Sequence, residues 1–413
     1  MNIHHLFHIL EVQSGLPASV RMLKLKLKKK KRNKIKVVFL CQLSQVWGCF
    51  ESIYEAALKD PVIIPVIVAL PEHWDNSTAD TNAYDFLTSR GYKVINGYNS
   101  STHKFIDLKA LNADYIFYPR PYDNYLPKEL QSREVSKFAK ICYICYGYTS
   151  EGNYILKTCF SKYFISNCYM VFAENKSVAD YCHYQLPISS RIGLHKICQT
   201  PFPRFDLLNK FKDAHGSGWT RPKEEINKRI IWTPRWTLEE KLGGTNFFNY
   251  KDFFFDFAGQ HPENEFLFRP HPLAFDNFVK AGAMTEDDVI EYKNRCAASP
   301  NIKLDDEKEY LDNFASADIL VSDMSGVVVD FAVTGKPVIF CSYDEVFNKS
   351  SSRLLDAYYL VHNATELKDT LTMLCNGEDP KKEIRRQIVK EVLGTCDGNN
   401  GKRIIGLLKK DLL

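Results

Sequence analysis

The first regular hydrophobic run of the chain, residues 35–41, is almost unbroken, and a polar break to Trp47 and a helical pattern through Leu58 follow it. Continuous rather than alternating apolar residues mark a strand covered on both faces. Runs of the same kind recur at residues 62–70, 92–95, 115–118, 141–146 and 169–173, separated by helix-like or loop segments such as 83–89, which ends at Gly91. That alternation predicts a parallel sheet with helices on both faces. The polar stretch 215–228, with Gly216, Gly218 and Pro222, reads as a linker-like insertion. A second series begins after it, with strands at 229–233, 265–269, 302–304, 319–322, 338–341 and 359–361 and helices at 248–258, 287–297, 309–315, 327–334 and 364–376. The expected architecture is α/β, with two Rossmann-like doubly wound parallel-sheet domains. An N-terminal extension covers residues 1–34, the domains cover 35–214 and 215–395, and a C-terminal helix in 396–413 packs back on the first domain.

A length of 413 residues agrees with two cores. Apolar residues make up 45% and charged residues 25%, which is globular usage and excludes the disordered and collagen-like classes. The twelve cysteines are scattered through apolar runs without small-domain spacing, so they are expected to be reduced. Cys142 and Cys145 fall in a strand-like run that points them to opposite faces, and no metal site is assigned. The longest apolar run, 62–70, is of strand length and carries Pro65, and no secretory leader pattern opens the chain. A cytoplasmic protein is expected.

Charge is unevenly placed. Nine basic residues and no acidic one lie between Lys24 and Lys36; without them 45 basic residues face 50 acidic ones, a net charge of −5. A basic run beside an acidic body suits an anionic inner-membrane surface, and a solvated flank to the first strand is the plainer alternative. Nucleic acid is not expected as a partner, because no nucleic-acid-binding motif accompanies the charge.

Three strand ends carry the candidate chemistry. The segment Ile319-Leu320-Val321-Ser322-Asp323-Met324-Ser325-Gly326-Val327 parses as strand, polar turn and helix start, with Ser325 as N-cap, Gly335 past the last turn and Pro337 beyond it. Free N–H groups at such a start, with the hydroxyls of Ser322 and Ser325, suit phosphate; simple capping and strand termination is the alternative. Phe268-Arg269-Pro270-His271-Pro272 sets a guanidinium and an imidazole at another strand end, stiffened by two prolines. Arg269 can fork onto phosphate oxygens and His271 can donate to a leaving diphosphate. The run Trp232-Thr233-Pro234-Arg235-Trp236 brings Arg235 for a second phosphate and Trp236 for stacking, or for ordinary loop packing.

In this order these motifs, with Gly335-Lys336-Pro337-Val338 and the closing Asp397-Gly398 to Arg403-Ile404, resemble the CDP-glycerol glycerophosphotransferase family of teichoic-acid polymerases, primases and capsule relatives. The likeness spans about residues 229–405 and touches the first domain only at Val37 to Leu40, Trp47 and Tyr54. It implies a GT-B fold, in which two Rossmann-like domains face a cleft. The implied reaction moves an alditol phosphate from a CDP-linked donor to a polymer or lipid-linked acceptor. No cofactor is expected. The resemblance assigns His271, Ser322 and Ser325 to the donor diphosphate; Arg235, Arg269, Asp323 and Gly326, read from the strand ends themselves, are expected in the same site. Where the family has two adjacent serines, this chain has Ser325-Gly326. Where the family carries a His-Gly-Thr base, this chain reads Cys145-Tyr146-Gly147-Tyr148-Thr149. A phenol of ordinary pKa, about 10, is a poor base, so Tyr146, Glu151 and His183 all stand as candidates for activating the acceptor. A glycosyltransferase using a nucleotide sugar, and a non-catalytic partner that binds nucleotide or phosphate polymer, are the alternative functions.

Overall fold

The computed structural model describes residues 16–27, 33–73, 80–150, 152–211, 213–239, 244–307, 309–341 and 347–412. The chain divides into two compact units: Met1–Asp206 with Asp397–Leu413, and Leu207–Cys396.

Unit 1 contains β1 (Ile35–Cys41), β2 (Ile63–Ala69), β3 (Val94–Asn96), a small antiparallel ribbon of β4 (Tyr98–Asn99) and β5 (Lys104–Phe105), then β6 (Tyr115–Tyr118), β7 (Lys140–Ile144), β8 (Met170–Ala173) and β9 (Lys196–Gln199). Apart from the ribbon these strands form one parallel sheet in the order β3-β2-β1-β6-β7-β8-β9. Nearly every residue of β1 is buried, as its unbroken hydrophobicity requires, and Phe39 lies stacked on Phe117 of β6 with ring centroids 5.1 Å apart. Two boundaries differ from the hydrophobic pattern. Tyr92 precedes β3 and packs edge-on against Trp47 and Tyr54; β7 ends at Ile144, which leaves Cys145 and Tyr146 in the following loop.

Unit 2 repeats the plan with β10 (Arg229–Thr233), β11 (Glu265–Phe268), β12 (Ile302–Leu304), β13 (Ile319–Ser322), β14 (Val338–Phe340) and β15 (Tyr359–Leu360), in the order β12-β11-β10-β13-β14-β15. All neighbours are again parallel. The Phe-rich helix Phe247–Gln260 supplies the cover of one face, with Phe254 stacked 4.3 Å from Trp232. The stretch 215–228 is not a free linker: Trp219 is buried and donates to the Ser316 hydroxyl at 2.8 Å, and the Gly218 N–H donates to the Asn313 side chain at 2.8 Å. The glycine there serves close approach, since a Cβ at position 218 would lie 2.7 Å from Leu267 and 2.8 Å from Asn313.

Two terminal helices complete unit 1. Leu16–Leu27 buries Ala18, Met22 and Leu25, ties Arg21 to Asn167 at 2.7 Å, and exposes Leu16, Val20, Leu23 and Leu27 along its other side. Of the basic segment, Lys28 to Arg32 lie outside the described residues. The helix Asn400–Leu412 packs against Glu51–Lys59, with Gly401 pressed on the Ser52 carbonyl. Its Asp411 side chain is 2% exposed and accepts hydrogen bonds from Lys140 (2.6 Å), Lys196, Tyr115 (2.6 Å) and Tyr169 (2.8 Å). These four residues all sit at the amino-terminal edge of the sheet, so one carboxylate ties the helix to the starts of four strands.

Among the described residues no helix is long and apolar enough to cross a membrane, and no cluster of three or more His, Cys, Asp or Glu can hold a metal. Among the described residues the cysteines form no disulfide.

Candidate functional site

In each sheet the strand order reverses between the first strand and the fourth, at β1/β6 and at β10/β13. Open parallel sheets bind ligands outside the carboxyl ends of their strands at this switch point. In unit 2 the three chemical motifs of the sequence leave the sheet there, from β10, β11 and β13.

Asp323 organises the place. Its side chain is buried, and its carboxylate accepts from the N–H groups of Arg235 and Asn246, both at 2.9 Å, and from the Asn246 amide at 2.8 Å. Burial pushes its pKa up and these donors pull it back. Ser322 is likewise enclosed: Thr233 donates to its hydroxyl at 2.6 Å, and that hydroxyl donates on to the Asp323 carbonyl at 2.7 Å. Ser322 and Asp323 therefore lie beneath the surface, contrary to their assignment as direct phosphate contacts. Their bonds pin the β10 loop to the β13 turn. Asn246 and Thr233, which the sequence did not single out, belong to the same clip.

Above the clip stand the residues that reach solvent. The Arg235 side chain donates to the Met324 carbonyl at 2.5 Å. Trp236 lies 6.0 Å from the His271 ring. His271 accepts the Leu273 N–H on Nδ1 at 3.2 Å, so the neutral ring carries its proton on Nε2. Partial burial, with the Arg235 charge, lowers the His271 pKa and keeps the ring neutral at pH 7. The result is an Nε2–H donor on a ring that feels the Arg235 charge. Ser325 caps the helix Gly326–Ala332 by accepting from Val327 N–H, and Gly326 opens to solvent with nothing in the way of an added Cβ.

Arg269 is placed differently from the expectation. It pairs with Asp305 at 2.9 Å, donates to the Glu307 carbonyl at 2.7 Å and lies over the Tyr310 ring. Its charge is spent inside unit 2, where it fixes the loop after β12. The structure thus brings Arg235, Trp236, His271, Ser325 and Gly326 together at one edge, and sets Ser322, Asp323 and Arg269 behind them.

Tyr146 belongs to unit 1, just past β7. Its hydroxyl is 3.3 Å from that of Tyr122, and burial raises its pKa, which makes the phenol a weaker candidate for the base. Glu151 lies outside the described residues. His183 is exposed, with Nδ1 3.0 Å from the Ser190 hydroxyl.

Two Rossmann-like parallel sheets in these strand orders place the chain in the GT-B fold class. Within it, the chain belongs to the CDP-glycerol:poly(glycerophosphate) glycerophosphotransferase family, whose model matches residues 189–410. It is 25% identical over 234 residues to a teichoic acid glycerol-phosphate transferase of Staphylococcus aureus (strain NCTC 8325 / PS 47), a match that covers 52% of this chain and 54% of that protein. The chain thus spans about half the length of that curated relative. Among solved structures it is similar to the wall teichoic acid polymerase TagF soaked with CDPG (TM-score 0.57, 15% identity, 100% of this chain and 98% of that one). It is also similar to the UDP-GlcNAc 2-epimerase of Neisseria meningitidis bound to UDP-GlcNAc (TM-score 0.62, 14% identity, 91% of this chain and 100% of that one). At these identities the structural likeness concerns the fold.

Proposed function

We propose that the protein transfers an alditol phosphate, glycerol phosphate or a close relative, from a CDP-linked donor to a hydroxyl of a cell-surface polymer or lipid-linked acceptor. The observation that carries this reading is the convergence of Arg235, the Nε2–H of His271 and the Ser325-capped helix start at the β10/β13 switch point. Such a set of donors suits a diphosphate better than a neutral ligand.

In this reaction the acceptor oxygen attacks the phosphorus that bears the alditol. The new O–P bond forms as the bridging P–O bond breaks, and CMP departs with the electron pair. Arg235 and His271 stabilise the charge that develops on the phosphate oxygens of the departing CMP, where preorganised donors contribute most. His271 acts as a neutral hydrogen-bond donor. Ser322, Asp323 and Arg269 are positioning residues in this scheme, because they hold the loops that carry the direct contacts. The acceptor proton passes to a base other than Tyr146, and Glu151 is our assignment for it.

The helix Leu16–Leu27, with its exposed leucines and the lysines that follow, supports contact with an anionic inner-membrane surface. Changing Lys28 to Lys31 to serine is expected to abolish binding to anionic liposomes, and salt-insensitive or unaltered binding would remove membrane contact from the proposal.

Titration calorimetry with CDP-glycerol tests the donor site. Binding is expected in the wild-type chain and at least tenfold weaker in Arg235→Ala; equal binding by both would overturn the assignment.

A further inference from the structure

Near the amino-terminal edge of the unit 2 sheet, at the other end of the strands from the donor site, lies a cavity of about 330 Å³ lined among others by Thr220, Glu265, Lys293, Asn301 and Lys303. Glu265 opens β11 and is 2% exposed. Its Oε1 accepts from the Thr220 N–H at 2.7 Å and from the Thr220 hydroxyl at 2.6 Å, whereas Oε2 is buried with no hydrogen-bond partner among the described residues. Arg229, its neighbour across the β10/β11 register, does not fill that place: its guanidinium donates to the His215 carbonyl at 2.7 Å and to the Arg221 carbonyl at 2.9 Å. A buried carboxylate oxygen without a donor is costly, and folded proteins keep few of them. Basic groups stand at the other side of the cavity. Lys303 pairs with Leu267 in the β11/β12 register, and Glu265 comes two residues before Leu267, so both side chains leave the same face of the sheet. Strand spacing and rise set their Cα atoms roughly 8 Å apart. Lys303 is exposed on the edge strand, and Lys293 comes to the same cavity from the helix Glu286–Ala298.

We infer that this cavity binds a small zwitterion, with its ammonium group on Oε2 of Glu265 and its anionic group toward Lys303 and Lys293. A cation alone would meet two lysines, and an anion alone would face a buried carboxylate; a molecule that carries both charges matches both ends. The volume is at the small end for ligand pockets, which fits a molecule of amino-acid size. The inference goes beyond the transferase reading and does not depend on it, because Glu265 begins the strand whose far end leads to His271.

Saturation-transfer NMR on the intact chain tests this, with β-alanine, propylamine and propionate as probes of similar length and different charge. β-Alanine is expected to receive saturation in the wild-type chain, well above either singly charged probe, and to keep it when CDP-glycerol is added in excess. Glu265→Gln puts an N–H₂ group where Oε2 stands and is expected to abolish the β-alanine signal. Lys303→Ala, at an exposed position, is expected to weaken binding roughly tenfold, as the loss of one charge-assisted contact implies. Propylamine or propionate bound as well as β-alanine, a β-alanine signal that survives both substitutions, or no signal in the wild-type chain would overturn the proposal. Displacement of β-alanine by CDP-glycerol would place it in the donor site and would overturn it too. Should Glu265→Gln fold poorly, Lys303→Ala with the two singly charged probes makes the same distinction.

Discussion

Replacing Asp411 by Asn removes the charge that ties the C-terminal helix to four strands of unit 1. Burial alone would raise its pKa, but the hydrogen bonds and charges of Lys140, Lys196 and Tyr115 outweigh that and hold it at about 2, against an ordinary 3.8. The gap corresponds to about 2.5 kcal/mol of stability from this one group at neutral pH. Because the folded pKa lies below the unfolded one, that contribution is complete above about pH 4 and drains away as pH falls toward 2. The Asn variant should therefore show amides of β6 to β9 and of the helix Asn400–Leu412 opening about 2.5 kcal/mol more easily at pH 7, with more lost if Lys140 is stranded. Hydrogen exchange of the intact chain, read by mass spectrometry on those peptides, measures this segment by segment. The difference from wild type should shrink steadily between pH 4 and pH 2. A difference below about 0.5 kcal/mol at pH 7, or one that does not change with pH, would refute the role given to Asp411.

Three further outcomes are expected. Asp323→Asn keeps the size of the side chain but turns an amide N–H₂ toward donors that now face it, so unit 2 should lose about 1–3 kcal/mol in denaturant titration; an unchanged midpoint would show that the clip is dispensable. Gly326→Ser restores the serine pair of the family into open space, so stability should stay within about 0.5 kcal/mol of wild type while CDP-glycerol binds more tightly; a large destabilisation would show that the turn is packed more closely than described. His271→Ala should reduce turnover by about 10²-fold or more, and in the wild-type enzyme kcat/KM should fall only below the ordinary histidine pKa, because protonation of Nδ1 breaks its bond to the Leu273 N–H. A rate that already falls between pH 8 and 7 would contradict the neutral ring.

Much of the α/β rhythm was legible because buried parallel strands are continuous apolar runs, and the Ser325, Gly335 and Pro337 punctuation fixed the helix after β13 to within a residue or two. The strand β9 was missed because Lys196-Ile197-Cys198-Gln199 at a sheet edge carries too few apolar residues to stand out. The stretch 215–228 looked like a linker because its glycines, chosen for close approach, are the same residues that mark free turns. Site residues were harder, because the sequence reports which groups leave a strand end and not which way they face. Ser322 and Asp323 read as phosphate contacts, yet their partners, Thr233 and Asn246, come from another strand and its loop. Arg269 likewise is claimed by Asp305, which only the β11/β12 pairing brings near. Arg235 and His271 leave the ends of β10 and β11 beside prolines, which the sequence does display.

Displacement at phosphorus with loss of CMP is what separates the proposed reaction from transfer of a sugar. Phosphorus-31 NMR of a reaction containing the intact chain, CDP-glycerol and a lipid-linked acceptor follows both products at once. CMP is expected to accumulate in step with a new phosphodiester on the acceptor, and both signals are expected to vanish in the His271→Ala variant. Release of CDP instead of CMP, or a donor left unconsumed with every acceptor offered, would contradict displacement at phosphorus.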